Sequence, residues 1–111
     1  MTKNKTCTRY YSGRQEKAVA KATGGKQTPN SGACAFVGGD VVAGDWLLEA
    51  KTVTKEQKTF TIKKEWLEKI KEEAFAVGKE YNALVFDFGD NGKRYYVIDE
   101  KTFLQVKDGR R

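Results

Sequence analysis

Three charged residues in a short predicted hairpin are the strongest candidates for chemistry in this chain: Asp40, Glu49 and Lys51. Apolar runs flank the tripeptide Ala43-Gly44-Asp45, and a glycine beside an aspartate between such runs is typical of a tight hairpin turn. Successive side chains of a strand point to opposite faces, so Glu49 and Lys51 share one face. The predicted hairpin therefore presents a carboxylate and an ammonium side by side.

The position of Asp40 depends on which two residues form the turn. If Ala43-Gly44 is the loop, Asp40 lies opposite Leu47, diagonal to Glu49. If Gly44-Asp45 is the loop, Asp40 lies directly opposite Glu49. Both registers place Asp40 on the same face as Glu49, so the sequence predicts two carboxylates there in either case.

Two carboxylates and an ammonium on one face of a buried hairpin are costly to desolvate unless they bind something together, and a divalent metal is the obvious candidate. Asp45 is too far from Glu49 to share a small ion, because four residues of strand separate them by about 13 Å. The chain contains no histidine, and Cys7 and Cys34 lack the spacing of a metal pair. Zinc sites and histidine-dependent catalysis are therefore excluded, and we expect both cysteines to be reduced.

The net charge of +6 comes entirely from the first 26 residues. This segment contains seven Lys or Arg residues and one acid, Glu16, whereas residues 27–111 contain fourteen of each sign. A basic segment with interleaved tyrosines suits a polyphosphate partner, because Lys and Arg displace the counterions condensed on DNA. A solubilising tail has the same composition, so both interpretations stay open. The candidate DNA contacts are Arg9, Tyr10, Tyr11, Arg14 and Lys17.

The length of 111 residues suits one small domain. We expect it over residues 12–111, after a flexible basic arm of residues 1–11. Ser12 is a candidate N-cap for a helix from Arg14 to Thr23, which two glycines end. In helical projection Glu16 borders the apolar side of this helix.

The remaining elements follow from apolar spacing and turn residues. A turn-rich loop over residues 26–32 precedes a short apolar run, Ala33 to Val37, that can form an extra strand. After the hairpin the pattern predicts an amphipathic helix from Ile62 to Gly78, a strand from Tyr81 to Phe88, a hairpin partner from Lys93 to Ile98, and a last short helix capped by Asp99. The order α-β-β-β-α-β-β predicts an α/β (α+β) domain with a central mixed sheet flanked by helices.

These residues and their order resemble the PD-(D/E)xK nuclease superfamily, and most closely its small Holliday junction resolvase-like endonucleases. The matching features are Asp40, the tripeptide Glu49-Ala50-Lys51 after a short hairpin, and Glu16 on the preceding helix. Gly39 stands where the motif has proline, which leaves the metal ligands intact. The motif is short, and its position on a hairpin between two helices makes it more specific. The resemblance implies a restriction-endonuclease-like fold.

The resemblance also implies a Mg²⁺ or Mn²⁺ ion bound by Asp40, one oxygen of Glu49 and the backbone carbonyl of Ala50, with water and a phosphate oxygen completing the shell. Lys51 is then expected to orient the attacking water and to stabilise the transition state. Two further residues complete the implied catalytic set: Glu16, for a second ion or a metal-bound water, and Ser31, for the phosphate.

The first hypothesis is therefore a Mg-dependent endodeoxyribonuclease that hydrolyses phosphodiester bonds in branched DNA, in recombination or repair. A homodimer is expected, because one small domain with one site must pair to cut two strands symmetrically. A related nicking or repair nuclease of a virus or bacterium is a close alternative. A non-catalytic nucleic-acid-binding protein, whose acids are structural, is an alternative from another class, and a folded accessory protein is a third.

Two further expectations concern the protein's location in the cell and its cofactors. The chain has no apolar run of membrane-spanning length and no signal-peptide pattern, which favours a cytoplasmic protein without a membrane partner. We expect no organic cofactor, since the implied chemistry needs only the metal.

Overall fold

The computed structural model describes residues 9–27, 41–53, 55–89 and 92–109, with the backbone alone for residues 9–14. Within these residues the chain forms an α+β domain of three helices and one five-stranded mixed sheet. The elements in chain order are α1 (Arg9–Thr23), β1 (Lys26–Gln27), β2 (Val41–Ala43), β3 (Trp46–Lys51), α2 (Lys64–Ala76), β4 (Tyr81–Phe86), β5 (Tyr95–Val97) and α3 (Glu100–Lys107). No helix in this part of the chain is both long and apolar enough to cross a membrane.

The strands lie in the sheet in the order in which they occur in the chain. Neighbouring strands are antiparallel except β3 and β4, which are parallel. A parallel pair cannot be joined by a tight turn and needs a crossover, which α2 supplies. The strand that carries Glu49 and Lys51 therefore lies at the centre of the sheet, between β2 and β4.

The two longer helices cover opposite faces of the sheet. Leu47 and Leu48 are consecutive in β3, so their side chains point to opposite faces. Leu48 packs with Val19 of α1, whereas Leu47 packs with Ile70 and Ala74 of α2. We call these the α1 face and the α2 face.

Several predicted elements are confirmed. The amphipathic segment after the hairpin forms α2, and Gly78 follows its end with a φ of 77°. The strand predicted from Tyr81 and its predicted hairpin partner form β4 and β5, which are antiparallel. Asp99 caps α3, because its Oδ1 accepts a hydrogen bond of 2.8 Å from the backbone N–H of Thr102.

The start of α1 differs from the prediction. The helix begins at Arg9, so the prediction of Ser12 as its cap, and of residues 9–11 as part of an extended arm, is wrong. Serine and glycine at positions 12 and 13 are weak helix formers, but a glycine costs only about 1 kcal/mol in a helix. Each added turn gains hydrogen bonds once the helix is nucleated. Residues 1–8 of the predicted arm lie outside the described residues.

A short strand lies where the sequence predicted a loop. Lys26–Gln27 form β1 within the predicted turn-rich loop and pair with Val41 and Val42. Gly25 permits this pairing, because a Cβ at that position would overlap the carbonyl oxygen of Val42. The rest of the predicted loop and the apolar run from Ala33 to Val37 lie outside the described residues.

The end of β4 contacts the segment that follows β3, and Gly89 tests that contact. Gly89 has a φ of 89°, and a Cβ there would lie 2.6 Å from the carbonyl oxygen of Lys55 and 2.7 Å from Cγ2 of Val53. We expect Gly89→Ala to lower the free energy of unfolding by about 2 kcal/mol or more, since left-handed strain of about 1–2 kcal/mol adds to the overlap. Urea unfolding measures the loss.

Gly78→Ala is the matched control for this substitution. Gly78 has a φ of 77°. Apart from its neighbours along the chain and the backbone of its own helix, no described atom lies within 4 Å of a Cβ placed there. We therefore expect only the strain, about 1 to 2 kcal/mol. Equal losses for the two variants would contradict the close packing of the segment after β3 against Gly89.

Candidate active site

Glu49 and Lys51 form a salt bridge on the α2 face. Both are in β3, at alternate positions that follow Leu47. Because alternate side chains of a strand point to the same face, Leu47, Glu49 and Lys51 share one face. Nζ of Lys51 lies 3.0 Å from Oε2 of Glu49, and the side chains are 27% and 15% exposed. The carboxylate and the ammonium are therefore paired in a position largely shielded from water.

The second oxygen of Glu49 has a different environment. Oε1 is buried and has no hydrogen-bond partner among the described residues. A buried acceptor without a donor costs about 1–3 kcal/mol, and more when the group is charged. Oε1 is therefore a free ligand position on a carboxylate whose other oxygen is already paired, which is the donor chemistry that a hard cation such as Mg²⁺ prefers.

Lys51 is held at three points. Its Nζ contacts Glu49 and also lies 4.3 Å from the ring centroid of Trp66 in α2, within the range of a cation–π interaction. Its backbone carbonyl accepts a hydrogen bond of 2.6 Å from Nε2 of Gln15 in α1. Helices on both faces of the sheet thus fix the position of this lysine. Trp66 is neither fully buried in the core nor fully exposed.

The register of the hairpin decides between the two alternatives left open by the sequence. Ala43 pairs with Trp46 and Val41 pairs with Leu48, so Gly44 and Asp45 form the turn. This is the register that predicts Asp40 directly opposite Glu49. Asp40 itself lies outside the described residues.

Glu16 approaches the sheet from the other face. It is only 4% exposed, as the helical projection predicts, and its Oε1 accepts a hydrogen bond of 3.2 Å from Nε2 of Gln27 in β1. Gln27 pairs with Val41, whose side chain belongs to the core of the α1 face. The structure therefore places Glu16 on the α1 face, whereas the side chain of Glu49 lies on the α2 face.

Glu73 is a carboxylate near the site that the sequence analysis missed. It lies in α2 beside Ala74 and three residues after Ile70, both of which pack on Leu47, and its side chain is 22% exposed. Its Oε2 lies 3.9 Å from Nζ of Lys69. Helical spacing relative to the two apolar residues is the signal that could have identified it as facing the sheet.

The electrostatic environment of Glu73 includes the candidate pair. Burial raises the pKa of Glu73 above its usual value; of the nearby charges, Lys69 opposes this shift and Glu49 adds to it, and Lys51 again opposes it. The α2 face thus brings a second carboxylate within electrostatic range of Glu49, and the net effect disfavours its ionised form.

The other predicted site residues are distributed as follows. Ala50 is buried in β3 between Glu49 and Lys51, and its role as a carbonyl ligand stays a prediction. Lys17 is exposed on α1. The backbone of α1 includes four further candidate DNA contacts, Arg9, Tyr10, Tyr11 and Arg14. Their contacts with DNA stay predictions. Ser31, Cys7 and Cys34 lie outside the described residues.

The predicted metal site lies only partly within the described residues. Among the described residues there is no group of three or more Cys, Asp or Glu side chains that could hold an ion. The predicted site needs Asp40, which lies outside that set. The described part of the site nevertheless fits a divalent cation, because it offers an unpartnered buried carboxylate oxygen next to a paired one.

Comparisons with models of protein families, with curated proteins and with solved structures gave no match for this chain.

The raised pKa of Glu73 predicts how stability depends on pH. The folded protein keeps the proton of Glu73 to a higher pH than the unfolded chain does. As the pH rises from the usual pKa of 4.5 through the raised pKa of the folded state, this group therefore lowers the free energy of unfolding. That direction already includes the opposing effect of Lys69. We expect Glu73→Gln to be more stable, relative to the wild type, at pH 7 than at pH 4.

Glu72→Gln is the control for this prediction, because Glu72 is exposed on the same helix. Urea midpoints of the three proteins at both pH values provide the measurement. A Glu73→Gln variant whose stability relative to the wild type is the same at pH 4 and pH 7 would contradict the proposed burial of this carboxylate.

Proposed function

We propose that this protein is a metal-dependent DNA endonuclease that hydrolyses phosphodiester bonds, with a restriction-endonuclease-like fold of the PD-(D/E)xK type. The observation that carries the proposal is the arrangement on β3. Glu49 pairs with Lys51 through one oxygen at 3.0 Å, and its other oxygen is buried without a described partner. In a metal-assisted phosphodiester hydrolysis, a carboxylate of this kind can hold the metal and the ammonium beside it can stabilise developing negative charge.

The architecture supports this proposal. A tight hairpin of β2 and β3 leads through α2 to a parallel β4, and α1 and α2 cover opposite faces. This is the arrangement that the resemblance implies, in which the acid-x-Lys tripeptide lies on the second strand of the hairpin. The finer assignment to a restriction-endonuclease-like fold is part of the proposal.

Glu49 would hold the metal through Oε1, together with Asp40 and the carbonyl of Ala50. When bound, a divalent cation lowers the pKa of a coordinated water and neutralises charge on the scissile phosphate. The protein's own contribution is to keep the Glu49 carboxylate in a fixed orientation, since Lys51 restrains its second oxygen.

Lys51 would act on the phosphate and on the attacking water. Its ammonium is held by the Glu49 carboxylate and the indole ring of Trp66, so little reorganisation is needed when negative charge develops on the phosphate oxygens. Its backbone is fixed by Gln15. A positioned ammonium of this kind stabilises the transition state more than the ground state.

The substrate and the assembly follow from what the chain lacks and from its size. No base-reading module is recognisable in the sequence, which favours recognition of shape and backbone over a specific sequence. We propose branched DNA, such as a four-way junction, as the substrate. A homodimer supplies the second site that symmetric cutting of two strands requires.

A non-catalytic nucleic-acid-binding protein is the second candidate. The observation that favours it is the closed ion pair, because Lys51 is already engaged by Glu49 and by Trp66 as in a purely structural salt bridge. In that case Glu49 and Lys51 stabilise the sheet, and the exposed lysines bind the nucleic acid without cleavage.

Cleavage assays distinguish the two candidates. We expect the wild type to cut four-way-junction DNA with Mg²⁺ or Mn²⁺ and not with a chelator. Asp40→Asn, Glu49→Gln and Lys51→Ala should each lower the rate by about 10²- to 10³-fold, as loss of one electrostatic contact to the transition state does. Linear, nicked and flap DNA in the same assay measure the preference for branched substrates.

Glu68→Gln is the matched control, since Glu68 is an exposed carboxylate of α2 that also pairs with a lysine, Lys64, at 3.9 Å. It should cut like the wild type. Undiminished cleavage by Asp40→Asn and Glu49→Gln would contradict the metal site. Salt-sensitive binding without any metal-dependent cleavage would favour the non-catalytic candidate.

A further inference from the structure

We propose that residues 55–64, which lead from β3 to the first residue of α2, bind the phosphate backbone of the DNA strand that enters the site, next to the phosphate at Glu49 and Lys51. We call these residues the basic segment. The inference rests on the proposed function and extends it, because the candidate DNA contacts in the sequence all lie at the N-terminus.

The basic segment has no helix or strand before α2, but its position is fixed. The backbone N–H of Gln57 donates a hydrogen bond of 2.8 Å to the carbonyl of Phe88. The ring of Phe60 stacks on Phe86 of β4, with centroids 4.3 Å apart and planes 8° apart. Close packing against Gly89 at Lys55 adds a third contact. The segment is therefore anchored to the end of β4 in one position.

The anchored segment presents a concentration of positive charge. It contains four lysines, Lys55, Lys58, Lys63 and Lys64, all exposed, and one acid, Glu56. Within the described residues, only Lys64 of these four is in a salt bridge, at 3.9 Å from Glu68. Because the backbone of the segment is already fixed, DNA binding does not have to order it, and the exposed ammoniums release condensed counterions from DNA.

The geometry connects this surface to the candidate active site through one side chain. Nζ of Lys63 lies 5.7 Å from the ring centroid of Trp66, and Nζ of Lys51 lies 4.3 Å from the same centroid. Phe60 of the segment also contacts this ring, with centroids 6.3 Å apart. Lys51 and Lys63 thus lie on the same aromatic ring, so the basic segment borders the candidate active site.

The chemistry of the segment selects the backbone rather than the bases. Its aromatic side chain, Phe60, is stacked on Phe86 and is not presented as a platform for a base. Lysines are mobile point charges without the planar fork that reads guanine edges. The surface thus recognises the path of phosphates, which agrees with a substrate chosen by shape.

The test compares the salt dependence of DNA binding by the full chain in chelator, where no cleavage competes. Lys58→Ala/Lys63→Ala removes two charges from the segment. We expect the slope of log affinity against log salt to become shallower by about 2, and affinity near 0.1 M salt to fall at least about tenfold. Lys101→Ala/Lys107→Ala, two exposed lysines of α3, removes the same charge elsewhere and should retain the wild-type slope.

Equal slopes for the two double variants would overturn the inference. Cleavage by the wild type, assayed separately with Mg²⁺, reports on the proposed function. If the wild type cuts DNA but Lys58→Ala/Lys63→Ala keeps the wild-type slope, the inference about the basic segment is wrong and the proposed nuclease function is retained. If only that variant has a reduced slope and the wild type does not cut DNA, the nuclease proposal is wrong and the basic segment is still supported as a DNA-binding surface.

Discussion

The salt bridge between Oε2 of Glu49 and Nζ of Lys51 is the interaction on which the rest of the site depends. It places two charges where they are largely shielded from water, so desolvation disfavours both. The pair compensates only half of the carboxylate, because Oε1 is buried without a described partner. A chain selected for stability alone would do better with apolar residues of similar volume at these positions. In the proposed function, this oxygen is a ligand of the divalent metal ion.

The surrounding elements act together to hold this pair. The parallel pairing of β3 with β4 places the site at the centre of the sheet, and the crossover helix α2 brings Trp66 against Lys51. The same helix brings Glu73 close enough to Glu49 for burial and like charge to raise its pKa. In the proposed function, a divalent cation at Glu49 would offset the like charge between Glu49 and Glu73, which adds to the effect of burial on Glu73.

Much of this arrangement could be predicted from the sequence, and the exceptions have physical reasons. Alternation along β3 fixed the shared face of Glu49 and Lys51, and apolar spacing predicted α2 with its terminal glycine. The turn at Gly44 and Asp45 remained one of two options, because local turn chemistry suits both and pairing across β2 and β3 decides. The position of Glu16 could not be predicted, since helical projection shows which side is buried but not which sheet face it meets. Glu73 was missed because its proximity to Glu49 depends on the packing of α2, a long-range contact. The strand at Lys26 was missed because its pairing depends on Gly25 approaching β2.

The most direct test of the central claim is paramagnetic broadening by Mn²⁺ in NMR spectra of the isotope-labelled chain. The account predicts that substoichiometric Mn²⁺ first broadens the backbone signals of Glu49 and Lys51 and the indole N–H of Trp66, and that Glu49→Gln abolishes this effect. Broadening spread over exposed carboxylates such as Glu68 and Asp108, with the β3 signals unchanged, would contradict a metal site at Glu49.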